Sequence, residues 1–154
     1  MNVTAPFLVI LLLAAFLDLL TKKVPNFLIL PSLLLAFPLA YLNGGADLLL
    51  NSILGACVGF LVLLYPYSKS LIGAGDVKLM AVVGAFLGPK LVLLAVLYAS
   101  VFGGLIVLVY LFYKGLLAQS FRRAMSLQFS NARIPYACAI SAGSCLALFN
   151  LKYP

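Results

Sequence analysis

The sequence predicts an all-α membrane protein, a bundle of six transmembrane helices with an amphipathic segment on the cytoplasmic membrane surface. Of the 154 residues, 66% are hydrophobic and only 8% are charged, whereas about 25% of residues are charged in a typical soluble domain. A soluble fold of this size leaves about 30% of its chain surface exposed to water. A mean hydropathy of +1.22 therefore requires most apolar side chains to face lipid.

Uncharged apolar stretches locate the six helices, because about 20 apolar residues are needed to cross a bilayer as a helix. The chain reads as one membrane domain (1–154), with predicted spans at residues 3–20, 26–43, 47–66, 71–88, 91–113 and 134–151. The span 71–88 is the weakest, since Asp76 and Lys78 lie near its start. The first span lacks the basic n-region of a secretory signal, so we expect it to be retained.

Turn residues support these divisions. Lys22, Lys23 and Pro25 separate the first two spans, and Pro25 suits a first helical turn. Residues 43–45, Asn-Gly-Gly, predict the next turn, and residues 88–90, Gly-Pro-Lys, separate the fourth and fifth spans. Small residues four apart predict close helix packing; these pairs are Gly55 and Gly59, Gly84 and Gly88, and Ser100 and Gly104.

Basic residues set the predicted orientation. Six spans place eight of the ten Lys and Arg residues on one side, and the positive-inside rule assigns that side to the cytoplasm, with both termini outside. Residues 115–131 belong to this side. Their apolar residues recur every four positions among Arg122, Arg123 and polar residues, which is typical of a helix lying along the membrane surface.

The same topology brings two of the three acidic residues to one level. Asp18 lies at the cytoplasmic end of the first span and Asp76 at the cytoplasmic start of the fourth, whereas Asp47 falls on the far side. An acid inside a membrane segment costs about 3 kcal/mol even on lenient scales, so it is a functional candidate. Structural interpretations of both acids stay open: Asp76 as a helix N-cap, and Asp18 snorkelling or pairing with Lys22.

A close pair of carboxyl groups has a defined chemistry. At about 3 Å the two groups share one proton, so the charged member can deprotonate a water while the protonated member donates to a peptide carbonyl.

The sequence lacks the residues that several other catalytic mechanisms require. The sequence has no histidine, which excludes Ser-His and Cys-His pairs and HExxH zinc sites. Cys57, Cys138 and Cys145 lack CxxC spacing and lie in apolar runs, so we interpret them as small buried apolar residues.

Three segments carry a resemblance to a known family. Residues 73–78, GAGDVK, resemble the GxGD signature of type IV prepilin peptidases and, more distantly, of presenilin-like intramembrane aspartyl proteases. Asp18, the basic turn after it, and the pair Pro25 and Asn26 resemble the family's element between helices one and two. Residues 134–137, Ile-Pro-Tyr-Ala, resemble the start of its last helix.

The resemblance implies that Asp18 and Asp76 are the catalytic pair of a peptidase. Gly73 and Gly75 would let the backbone turn tightly and approach a bound peptide closely. Lys78 matches a basic position after the motif, but residues two apart on a helix do not face each other, so we expect it to bind lipid headgroups or substrate rather than Asp76.

One difference from the larger prepilin peptidases indicates which branch of the family the sequence resembles. Those enzymes carry a cytoplasmic insertion with paired CxxC motifs and also methylate the new N-terminus, whereas this sequence has no such cysteines. It is similar to the compact peptidases of Flp or Tad-type pili, the TadV or CpaA-like branch. We therefore expect leader removal from a membrane-anchored prepilin or pseudopilin at the cytoplasmic face of the bacterial inner membrane, without methyltransferase activity.

The expected partners follow from the same interpretation. The basic cytoplasmic face favours anionic lipid headgroups. We expect no cofactor, no metal and no nucleic acid, and the oligomeric state stays open. The alternatives are a small proton-coupled transporter in which the two acids relay protons, a structural subunit of a secretion or pilus assembly, and a Ser-Lys nucleophile at Ser70 and Lys69.

Overall fold

A computed structural model describes residues 4–21, 25–69, 72–113 and 136–152. The regular structure in these ranges is helical, and the helices are α1 Thr4–Thr21, α2 Asn26–Ser68, α3 Ala74–Leu87, α4 Pro89–Tyr113 and α5 Tyr136–Lys152. The all-α prediction is confirmed for these residues. The predicted interfacial segment, residues 115–131, lies outside the described residues.

The 43-residue helix α2 is a hairpin of two helical segments. Gly44 (φ −163°, ψ 24°) and Gly45 (φ 64°, ψ −150°) both leave helical geometry, and a φ as positive as that of Gly45 is readily adopted only by glycine. Asn26 and Phe60 line one groove, although a straight helix would hold them about 50 Å apart. The chain therefore folds back at these glycines, as the sequence predicts.

Helix bounds differ from the predicted spans by a few residues. The segments of α2 correspond to the spans 26–43 and 47–66, α3 begins at Ala74, and α4 begins at Pro89. Pro25 is not in the first helical turn, so that prediction is wrong: it is the extended N-cap of α2 (φ −74°, ψ 144°). Its carbonyl accepts a hydrogen bond from the Leu28 N–H at 3.1 Å, as an N-cap carbonyl does.

Within the described residues, three helices are long and apolar enough to cross a bilayer, namely Thr4–Thr21, Asn26–Ser68 and Pro89–Ile106, and Ala137–Phe149 is a shorter apolar helix. Because α2 contains two predicted spans, these helices agree with a membrane protein. The 14 residues of α3 extend about 21 Å, less than the hydrocarbon core of about 30 Å. A crossing by all six segments stays a prediction.

The expectation of three buried cysteines is wrong. Cys57 and Cys145 are exposed, and Cys138 is half-buried. A helix that is apolar all round gives no sequence signal for the face that packs against protein.

Helix α3 lies at the centre of the packed core. Its buried residues include Leu79, Met80 and Val83. The second segment of α2 runs antiparallel to it, because Ser52 donates a 2.6 Å hydrogen bond to the Ala85 carbonyl while Gly59 packs on the Met80 backbone. The core helix is therefore fixed mainly by backbone-to-backbone contact.

Glycines make this contact possible. A Cβ on Gly55 would overlap the carbonyl of Gly84, and a Cβ on Gly84 would overlap the carbonyl of Gly55. The close packing predicted at Gly55, Gly59 and Gly84 is confirmed. Gly104 differs, since a Cβ there would meet nothing within 4 Å among the described residues.

Helix α5 packs between α4 and α1. Gly143 lies against the backbone of Ala95 and Ala99 on α4. On the other side, the Ser141 hydroxyl donates to the Leu11 carbonyl of α1 at 3.1 Å. These contacts hold the start of α5 beside the end of α1.

We predict that Gly84→Ala lowers the free energy of unfolding by about 1 to 3 kcal/mol, because the added methyl group forces α3 away from α2. Gly104→Ala is the matched control and should change it by less than about 1 kcal/mol, since its methyl group would meet none of the described residues within 4 Å. Thermal unfolding of the purified protein in detergent measures both. Equal stability of the two variants would contradict the tight α2–α3 contact.

Candidate active site

Helices α1 and α3 run antiparallel and bring Asp18 and Asp76 to one level. Near the other end of both helices, the rings of Phe7 and Phe86 pack with their centroids 5.2 Å apart. From this contact, Asp18 lies about 16 Å along α1 and Asp76 lies about 15 Å along α3. The two carboxyl groups interact electrostatically. We call this level, marked by Asp18, Asp76 and Ala137, the aspartate end.

Asp18 is buried in the last turn of α1, with 4% of its surface exposed. Its Oδ2 accepts a hydrogen bond of 2.9 Å from the Ala137 N–H, in the first turn of α5. The N-terminus of a helix carries unpaired N–H groups and the positive end of the helix dipole, so it favours a carboxylate. This burial contradicts snorkelling, and Lys22 lies outside the described residues.

Asp76 is the third residue of α3. Its Oδ2 accepts a hydrogen bond of 3.1 Å from the Gly73 N–H, and its own N–H donates to the Gly73 carbonyl at 3.1 Å. The N-cap of α3 is Gly73, so the interpretation of Asp76 as the N-cap itself is wrong. Asp76 instead bonds back to the N-cap N–H from the third helical position, as the acid of a capping box does, and this bond replaces the predicted N-cap role. It is compatible with the interaction with Asp18, because the cap uses Oδ2 and leaves Oδ1 out of the bond.

Gly73 and Gly75 flank the start of α3 in different ways. Gly73 is exposed and extended (φ −80°, ψ 152°), and a Cβ on it would lie 3.2 Å from Oδ2 of Asp76. Its missing side chain therefore leaves the carboxyl group open at this point. Gly75 is half-buried as the second residue of the helix.

Lys78 and Asn26 meet on the other side of α3. The Lys78 Nζ donates to Oδ1 of Asn26 at 3.0 Å, next to the N-cap Pro25. Lys78 and Asp76 are two residues apart and thus about 200° apart around the helix. Three predicted supporting residues, Lys78, Asn26 and Pro25, therefore lie on the α2 side, away from the carboxyl pair.

The remaining candidates lie elsewhere. Asp47 is exposed near the start of the second segment of α2, next to the C-terminal end of α3, so it does not join Asp18 and Asp76, as the sequence predicts. Lys69 is exposed, and Ser70 lies outside the described residues. Within the described ranges, no group of three or more His, Cys, Asp or Glu residues could hold a metal ion.

Sequence reasoning missed the contribution of α5. The Ala137 N–H bonds Asp18, and Cys138 lies beside it, with its thiol 3.8 Å from the Ala15 carbonyl of α1 and within electrostatic reach of Asp18. Pro135 was a usable signal, because a proline often marks the first turn of a helix. Because α5 starts on the side of the bundle where α1 ends, its first N–H groups lie beside Asp18, the acid in the last turn of α1.

Comparison with known proteins gives one family. Residues 5–108 match the type IV leader peptidase family. This range includes Asp18 and Asp76, and it ends before α5. Comparison with curated proteins and with solved structures gave no match.

We predict that Asp18→Asn keeps the free energy of unfolding within about 1 kcal/mol of wild type, since the amide oxygen still accepts the Ala137 N–H. Asp18→Leu should lower it by about 1 to 3 kcal/mol, because a buried N–H then loses its acceptor. Asp47→Leu, at an exposed position, is the control. Equal unfolding midpoints for Asp18→Asn and Asp18→Leu would show that this hydrogen bond contributes no stability.

Proposed function

The chain belongs to the type IV leader peptidase family, and we propose that it is an intramembrane aspartyl endopeptidase. Its substrate is a membrane-anchored prepilin or pseudopilin, from which it removes the leader peptide at the cytoplasmic membrane face. The observation that supports this most directly is geometric: α1 and α3 run antiparallel, with Phe7 and Phe86 in contact near one end, so Asp18 and Asp76 lie at the same end of the bundle.

The proposed reaction uses both carboxyl groups. With one proton shared between them, the ionised group takes a proton from a water, and the resulting hydroxide attacks the scissile carbonyl carbon. The protonated group donates its proton to the carbonyl oxygen. In the second step the newly protonated carboxyl group donates its proton to the amide nitrogen and the ionised group takes a proton from a hydroxyl of the tetrahedral intermediate. The C–N bond breaks, the new carboxyl and amino termini are released, and the pair again holds one proton. The established hydrogen bonds to Ala137 and Gly73 orient the two groups.

The start of α3 suits an extended peptide. Gly73 is extended and exposed and carries no side chain between the solvent and Asp76. A peptide in extended form can approach such a backbone closely. A prepilin whose apolar helix is held in the bilayer presents the junction with its leader near the membrane surface, the depth at which we place Asp18 and Asp76.

The finer assignments are proposals of the same kind. We assign the protein to the compact Flp or Tad-type branch without methyltransferase activity, because the chain between Asp18 and Pro25 has no room for a CxxC-bearing insertion. The strong basic asymmetry of the sequence supports a bacterial inner membrane protein with the aspartate end in the cytoplasm and both termini outside.

Co-expression with a candidate prepilin tests this function. Asp18→Asn and Asp76→Asn should each reduce leader removal at least about 100-fold, because each removes an acid-base group. Asp47→Asn, at the other end of the bundle, should cleave like wild type. The mass of the pilin subunit measures cleavage.

Three results would contradict the proposal. Cleavage that survives Asp18→Asn or Asp76→Asn would reject the carboxyl pair. Failure of the wild-type protein to cleave a verified substrate would favour a proton-coupled transporter or a structural subunit. Loss of cleavage with a serine acylator would instead favour Ser70 as nucleophile.

A second prediction concerns Gly73. Gly73→Ala should lower the cleavage rate about tenfold, because small displacements of a reacting group cost rate steeply and the new Cβ would lie 3.2 Å from Oδ2 of Asp76. Stability should stay unchanged, since alanine readily adopts the extended backbone of Gly73. Gly104→Ala is the control. An unchanged rate would show that the carboxyl group of Asp76 tolerates this crowding.

A further inference from the structure

A groove on the α2 side of α3 is not part of the aspartate end. It encloses about 310 Å³. Its walls are the apolar side chains of Ile29, Leu30, Leu33 and Phe60, contributed by both segments of the α2 hairpin. Leu30 is 62% exposed and Phe60 is 40% exposed, so the groove opens laterally toward the surroundings of the bundle.

The mouth of the groove is polar and positively charged. Lys78 and Asn26 lie there, and the Lys78 Nζ donates to the neutral amide oxygen of Asn26 at 3.0 Å. An ammonium group has three N–H donors, and Lys78 is exposed. Among the described residues that line the groove there is no carboxylate, so the charge of Lys78 is not neutralised within it.

The position and the size of the groove indicate which ligand it can hold. Asn26 is the first residue of α2 and Lys78 lies in the first two turns of α3, so the mouth is at the end of the helices, where phosphate headgroups lie. One turn of a helix about 10 Å across takes up about 420 Å³, more than the 310 Å³ of the groove. A hydrocarbon chain fits the apolar walls, and an anionic phosphate complements Lys78.

We propose that this groove binds one anionic phospholipid, with an acyl chain along Leu30, Leu33 and Phe60 and the phosphate on Lys78. The site is separate from the carboxyl pair, because Lys78 and Asp76 are about 200° apart around α3. A lipid bound here joins the start of α2 to the start of α3. It does so whether or not the carboxyl pair cleaves a peptide.

Native mass spectrometry of the purified full chain in detergent tests the proposal. Dioleoyl phosphatidylglycerol or dioleoyl phosphatidylcholine is added, and the protein with one bound lipid is counted. The wild type should retain phosphatidylglycerol about fivefold better, a difference of about 1 kcal/mol, the amount associated with one Lys near an anionic membrane. Equal retention of the two lipids would overturn the proposal.

Variants locate the bound lipid. Lys78→Gln should abolish the fivefold preference and Lys78→Arg should preserve it. Ala81→Leu should lower retention of both lipids with the charge intact, because Ala81 lines the groove and the larger side chain fills it. Lys69→Gln is the matched control, an exposed lysine that does not line the groove.

Three outcomes would overturn the assignment. The first is a loss of preference in Lys69→Gln as large as in Lys78→Gln, since binding would then follow overall charge. The second is unchanged retention in both Lys78→Gln and Ala81→Leu. The third is displacement of the lipid by glycerol phosphate alone, which would indicate a phosphate site without an acyl chain. Thermal unfolding in the same detergent identifies any variant that is misfolded, and the other variants then decide.

Discussion

The hydrogen bond from the Ala137 N–H to the Asp18 carboxylate is the contact on which the aspartate end depends. Asp18 is buried and lies in the last turn of α1, where the negative end of its own helix dipole opposes a negative charge. A buried carboxylate without a partner is costly. The N-terminus of α5 supplies both an N–H donor and a positive dipole end, so α5 has to begin beside the end of α1. The contacts of Ser141 with Leu11 and of Gly143 with α4 hold it there.

The carboxyl group of Asp76 is stabilised in a similar way, but by the first turn of its own helix, α3. Asp76 faces the N–H of Gly73 and the positive end of α3. Two helix N-termini, those of α3 and α5, therefore converge on two acids that repel each other when both are ionised. Each backbone bond also restricts the side-chain rotamer of its acid. Each carboxyl group is thus oriented by a backbone N–H, and the proposed acid-base reaction requires such orientation.

Sequence reasoning predicted the parts of this arrangement that depend on chain connectivity and charge. Counting spans and basic residues was enough to bring Asp18 and Asp76 to one level, and the Asn-Gly-Gly turn of residues 43–45 located the α2 hairpin. It missed the Ala137 contact, because that partner lies 119 residues further along the chain and contributes a backbone N–H that any residue has. It also misassigned Cys57 and Cys145 as buried, since uniformly apolar helices carry no polar face to show which side meets lipid.

Asp76 and Lys78 lie on different sides of α3, because side chains two residues apart on a helix point in nearly opposite directions. Asp76 is directed to α1, whereas Lys78 is directed to Asn26 and the groove beside α2. A direct Asp76–Lys78 pair would neutralise the acid that the proposed reaction needs, and the helical spacing prevents it. Close glycine packing of α3 on α2 then fixes the rotation of α3 about its axis. A rotation of α3 about its axis would move Asp76 relative to Asp18, so the α2–α3 contact also contributes to the geometry of the carboxyl pair.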